Sequence, residues 1–146
     1  MKSVFLKLVI ASTLLLPASQ LNAAEPKGKV PPVILNGLKA YTKSGPQAAV
    51  KTWIEGSVME KKKEEALTYS ETFKKVEEFY GSYRGYHLIG VTDITEITKV
   101  VTITMDYDKG PVFIKFLTYK TKNGWILVSF DFNTNPDVIL PGLLLK

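Results

Sequence analysis

Val100-Val101-Thr102-Ile103-Thr104-Met105-Asp106-Tyr107, then Asp108-Lys109-Gly110-Pro111, and after a second apolar run Lys122-Asn123-Gly124-Trp125 on to Asn133: this stretch decides the fold. Val101, Ile103, Met105 and Tyr107 alternate with Val100, Thr102, Thr104 and Asp106, the period-two pattern of a half-buried strand. Asn123-Gly124 is a strong hairpin signal, because a type I′ turn needs positive φ at both central residues. A two-residue loop there sets Tyr119 opposite Val128, Leu117 opposite Phe130 and Phe116 opposite Asp131. At the other turn, a two-residue loop turns Thr102 and Thr104 toward the face of Leu117 and Phe130. A three-residue loop with Gly110 in the left-handed region instead gives an all-apolar face of Val101, Met105, Tyr107, Phe113, Leu117, Tyr119, Ile126, Val128, Phe130 and Phe132. One residue of slip exchanges the two faces, so the three-residue loop is the expectation. Pro111 then opens its strand, where a missing N–H is tolerated.

Upstream of this sheet the pattern is helical. Pro31-Pro32 opens a short helix with Ile34, Leu35, Leu38 and Tyr41 on one side, although Gly37 falls inside it. Ser44-Gly45-Pro46-Gln47 reads as a capping box, and Val50, Trp53, Ile54 and Val58 follow as one stripe. Trp53 in that stripe reads as core; a ligand platform is the other reading. Glu60 to Tyr80 carries Ala66, Tyr69, Phe73, Val76 and Tyr80 on one side, as one helix or as two broken near Thr68 to Ser70, with Gly81 as the stop. Tyr80, Tyr83 and Tyr86 recur at every third position through a glycine-loosened corner, and Tyr86 to Ile94 continues as the first of four strands. These tyrosines form either a ring-binding rim or a seal with hydroxyls outward. After the sheet, Asn135-Pro136-Asp137 reads as an N-cap and a proline at N1 of a short turn, stopped by Pro141-Gly142 before an apolar tail, Leu143 to Leu145.

The first 24 residues have the form of a secretory signal peptide: Lys2 and Lys7, the apolar run Leu8 to Leu16, and a small-residue cleavage site at Leu21-Asn22-Ala23-Ala24. The run is short for a bilayer span, so no stable membrane insertion is expected after cleavage. Residues 25–31 read as a polar, mobile leader, and residues 32–146 as one domain. Cleavage removes two of the 19 basic residues and none of the 14 acidic ones, lowering the net charge from +5 to +3. The remaining lysines are interleaved with glutamates, as in Lys61-Lys62-Lys63-Glu64-Glu65, the mark of a solvated face rather than a nucleic-acid surface. With no cysteine and one histidine, neither disulfides nor a metal site is expected.

No sequence motif frames a catalytic site or a cofactor site. Asp131 is the carboxylate of most interest, because Phe116 and Leu127 are expected on its face and would desolvate it. His87, Tyr83, Tyr86 and Trp53 complete the candidate pocket or rim. Val112, Ile114 and Phe116 are expected beside Trp125 and Leu127 on the face the helices leave bare. Too few helices are available to cover both faces, so a second copy in a two-fold dimer is expected there, or a different partner.

Helices followed by four antiparallel strands resemble the NTF2-like (cystatin-like) superfamily, in which N-terminal helices pack on a curved antiparallel sheet. Phe79-Tyr80-Gly81-Ser82-Tyr83-Arg84-Gly85-Tyr86, Tyr107-Asp108-Lys109-Gly110-Pro111-Val112-Phe113, Gly124-Trp125 and Phe132-Asn133-Thr134-Asn135-Pro136 are similar to the signatures of a family of small secreted bacterial proteins with NTF2-like domains. The resemblance implies an α+β fold and export, and implies no chemistry. The sequence therefore reads as a periplasmic or secreted non-catalytic module binding a small molecule or an envelope protein. The alternative is an isomerase- or hydrolase-like enzyme with a pocket between helices and sheet.

Overall fold

A computed structural model describes residues 28–142. Three helices, α1 (Pro32–Ser44), α2 (Pro46–Ile54) and α3 (Lys63–Tyr80), precede β1 (Tyr83–Thr95), β2 (Thr98–Tyr107), β3 (Gly110–Thr121) and β4 (Gly124–Asn133), and a last short helix, α4 (Pro136–Ile139), follows. The strands form one curved antiparallel sheet in the order β1-β2-β3-β4, so each pairs with its chain neighbour. The α+β class, with helices packed on a four-stranded sheet, is as expected. The signal-peptide segment and the Leu143 to Leu145 tail lie outside the described residues. At the other end of the leader, Val30 packs on the core and Pro31 is buried.

The helix layer follows its apolar stripes but not its expected caps. Ile34, Leu38 and Tyr41 of α1 and Val50, Trp53 and Ile54 of α2 are buried. α1 runs through Ser44, and the break falls on Gly45, at φ +81°. Gly45 N–H donates to Tyr41 O at 2.8 Å and Gly45 O accepts from Ala49 N–H at 3.2 Å. Neither α1 nor α2 has a side-chain cap, so the Ser44 capping box does not form. A left-handed glycine ends one helix and starts the next within a single residue, which leaves Ser44 inside α1. The capping role falls to Ser57, which accepts from Met59 N–H at 3.1 Å and donates to Ile54 O at 2.6 Å. Val58 leaves the α2 stripe for a 3-10 turn and is 75% exposed. α3 is continuous: the Thr68 and Ser70 hydroxyls donate to the carbonyls of Glu64 and Ala66, four residues back, without breaking the helix.

Both turns of the sheet differ from expectation, and the difference turns β3 over. Tyr107 pairs with Gly110 across a two-residue loop, Asp108-Lys109. That loop is held from outside the hairpin. Lys109 N–H donates to Tyr80 O at 2.8 Å, Asp108 N–H to Ser82 O at 3.2 Å, and the Asp108 carboxylate accepts from Ser82 N–H and from Arg84. At the next turn Thr121 pairs with Gly124, and the central residues are Lys122 and Asn123. Only Gly124 has positive φ, so the turn is not type I′. Tyr119 accordingly meets Ile126 rather than Val128, and a bulge beside Leu117 and Thr118 then brings Phe116 opposite Phe130 and Leu117 opposite Ser129.

The helix-facing side of the sheet is therefore Val101, Ile103, Met105 and Tyr107 of β2, Val112, Ile114, Phe116 and Thr118 of β3, and Leu127 and Phe130 of β4, all buried. Phe132 packs beside them, whereas Tyr119 and Val128 are exposed. This corrects the expected interface. Ile114, Phe116 and Leu127 are 0–1% exposed within one chain, in the core beneath the helices, and offer no surface for a dimer. Trp125 is half-buried at the end of that face, with Lys99 Nζ 5.6 Å from its ring centre.

Candidate functional site

The space between helices and sheet is filled by aromatic side chains. Trp53 is fully buried, with ring centres of Phe73, Phe116 and Phe130 at 6.1, 5.2 and 5.8 Å. Its Nε1–H donates to Ile34 O at 3.1 Å. The indole lies so close to α1 that a Cβ at Gly37 would stand 1.9 Å from Nε1. Gly37 is thus the seat of Trp53, and Trp53 is core rather than a platform.

Tyr83 turns inward, not outward, and joins a tyrosine cluster. Its ring centre is 4.5 Å from that of Tyr41 and 5.8 Å from that of Tyr107. Tyr41 donates to Glu77 Oε1 at 2.9 Å, which leaves Tyr107 to donate to Tyr41 across 3.0 Å. Burial, followed by these hydrogen bonds and the Glu77 charge, holds the Tyr41 phenol far above its ordinary range. Tyr107 is raised as well, mainly by burial. Burial pushes Tyr83 up to about 12. The Thr42 hydroxyl opposes that shift but is itself turned to Leu38 O at 3.2 Å, and the Tyr83 hydroxyl is left without a well-formed hydrogen bond. Phenols that resist ionisation in this way keep their protons near neutral pH and are poor general bases. The cluster ties α1, α3 and the sheet together.

The remaining polar candidates are spread over the sheet. His87, on β1, is 81% exposed, with Nδ1 2.5 Å from Asp106 Oδ2 on β2. Tyr86 beside it is 41% exposed. Asp131, on β4, is exposed and pairs with Lys115; Phe116 and Leu127, expected on its face, lie on the other one. His87 and Asp131 occupy the two outer strands, three strand spacings or ~14 Å apart. They form no acid–base pair, and among the described residues no three His, Asp or Glu side chains gather as metal ligands. At the sheet's end, Asp108 accepts from Ser82 N–H at 2.8 Å and Arg84 Nη1 at 2.7 Å. The Arg84 hydrogen bond, then the Ser82 one, holds its carboxyl below the usual aspartate range.

Concave surface lies outside the core. Asp131 lines a cleft of about 430 Å³ with Tyr69, Phe130 and Phe132 at the β4 edge. Trp125 lines another of about 380 Å³ with Asn36, Thr52, Glu55 and Asn123. A third cleft, about 470 Å³ and mainly apolar, runs between α2, the 3-10 turn and α3. Its floor is Val50, Ile54, Ala66 and Ser70, whose hydroxyl donates to Ala66 O at 3.0 Å; Leu67 stands on its wall, and the exposed Gln47, Lys51, Glu60 and Lys63 form its rim. The sequence reading missed this cleft. One signal was available: Leu67 is an apolar residue off the Ala66-Tyr69-Phe73 stripe of α3, and it is 53% exposed.

Comparison of the chain with protein-family models, with characterised proteins and with solved structures gave no match.

Proposed function

We propose that this protein is an exported, non-catalytic binding module whose ligand sits in a surface cleft of the helix layer. One observation carries the reading. The space in which an enzyme of this architecture would hold its substrate is filled by Trp53, Phe73, Phe116 and Phe130, while the groups able to move protons are dispersed over the sheet. A volume of about 470 Å³ with an apolar floor and a few polar groups is of the size that takes a small molecule. The helices-then-meander order supports the resemblance to NTF2-like domains, and the form of residues 1–24 supports delivery to the periplasm or the medium. Among the described residues no helix is long and apolar enough to cross a membrane.

Export is tested by N-terminal sequencing of protein from the native host, which should begin near Ala24 or Glu25; an intact Met1 contradicts it. Binding is tested by ligand-observed NMR of the purified chain in an extract of envelope metabolites. A species that binds reversibly and is recovered chemically unchanged supports a binding module. Time-dependent conversion that is lost in His87→Ala or Asp131→Asn would make the protein an enzyme.

A further inference from the structure

Among the described residues that line the α2–α3 cleft, two lysines, Lys51 and Lys63, stand against one carboxylate, so the rim keeps a net positive charge. That carboxylate, Glu60, is held toward the turn after α2, its Oε2 accepting Gly56 N–H at 2.9 Å. Lys51 and Lys63 take part in none of the ion pairs among the described residues, which are Lys62–Glu65, Arg84–Asp108, His87–Asp106 and Lys99–Asp93. The two lysines come from different helices and line one trough whose floor is mainly aliphatic, the one buried hydroxyl there, Ser70, being already bonded to Ala66 O. An aliphatic floor favours a chain of methylenes, and two unpaired ammonium groups at its edge favour an anionic head.

We propose that this cleft binds a single-chain anionic amphiphile of the fatty-acid type, its chain along Val50, Ile54, Ala66 and Leu67 and its carboxylate on Lys51 and Lys63. The proposal rests on the reading of the protein as a binding module and names the ligand class for that site. A cationic amphiphile of equal chain length would meet the same floor but a repulsive rim. A short polar anion would meet the lysines but leave the floor in water.

The probe is dodecanoate, kept below its micelle concentration and titrated into the exported chain by calorimetry and by backbone-amide NMR. Saturable one-to-one binding is expected, with shifts centred on Lys51, Ile54, Lys63 and Leu67. Dodecyltrimethylammonium should bind at least about tenfold more weakly, as should dodecanoate to Lys51→Glu/Lys63→Glu, because each exchange turns attraction into repulsion at an exposed pair. Both lysines are exposed, so the double variant should keep its urea midpoint and a binding loss can be read as a local one. Equal binding of both amphiphiles, no binding of dodecanoate, or shifts centred on the Asp131 or Trp125 cleft overturns the proposal. If dodecanoate fails while another species from the metabolite extract binds unchanged, the ligand class is wrong and the binding module stands. Turnover in that extract removes both.

Discussion

Gly37 and Trp53 act as a pair. The indole occupies the place where any side chain at residue 37 would begin, so Gly37→Ala must push Trp53 out of its packing with Phe73, Phe116 and Phe130. We expect Gly37→Ala to cost about 1–3 kcal/mol by overpacking, although alanine is the better helix former. A urea titration showing stabilisation instead would mean the indole does not sit on α1. Asp108 makes a prediction about pH. Its folded pKa is depressed, so its contribution is present above the unfolded value of 3.8 and is lost as pH falls through the folded value. Asp108→Asn should therefore lower the urea midpoint at about pH 7, and the difference from the parent should shrink as pH is taken below 3.8 and through the depressed folded value. A difference independent of pH would assign the effect to loop geometry rather than to charge.

At the scale of elements, the caps and the sheet register each allow a paired test. Ser44 lies within α1 and caps nothing, whereas Ser57 both donates and accepts at the turn after α2. Ser44→Ala should change stability by less than about 0.5 kcal/mol and Ser57→Ala should cost about 1 kcal/mol. The reverse order in chemical denaturation would restore the capping box at Ser44. The sheet gives a stronger contrast, because neighbouring residues lie on opposite faces. Leu127 is buried and Val128 is 45% exposed. Leu127→Asp places an unpaired charge in the core and should cost more than about 4 kcal/mol, while Val128→Asp should cost about 1 kcal/mol or less. Amide NMR dispersion separates the two outcomes. A folded Leu127→Asp with a collapsed Val128→Asp would restore the register expected from the sequence.

For the whole molecule, the class and the order of elements are legible in the local pattern of residues alone. Apolar residues at period 3.6 mark α1, α2 and α3, and period-two runs mark β2 and β3. Gly81 and the Asn135 cap stand where their helices stop and start, Asn135 Oδ1 accepting Asp137 N–H at 3.0 Å. These signals are local, since each depends only on neighbours along the chain. Which face of β3 enters the core was decided by the tertiary structure. A strand reads equally well from either side when both faces carry apolar residues, as Val112, Ile114 and Phe116 alternate with Phe113, Leu117 and Tyr119. The choice rests on a loop length set by Tyr80, Ser82 and Arg84, residues more than twenty positions away that hold Asp108 and Lys109 in place. The candidate site was hidden for the same reason. Lys51 and Lys63 read as ordinary charges on two solvated helix faces, and only the packing of α2 beside α3 brings them to one aliphatic trough.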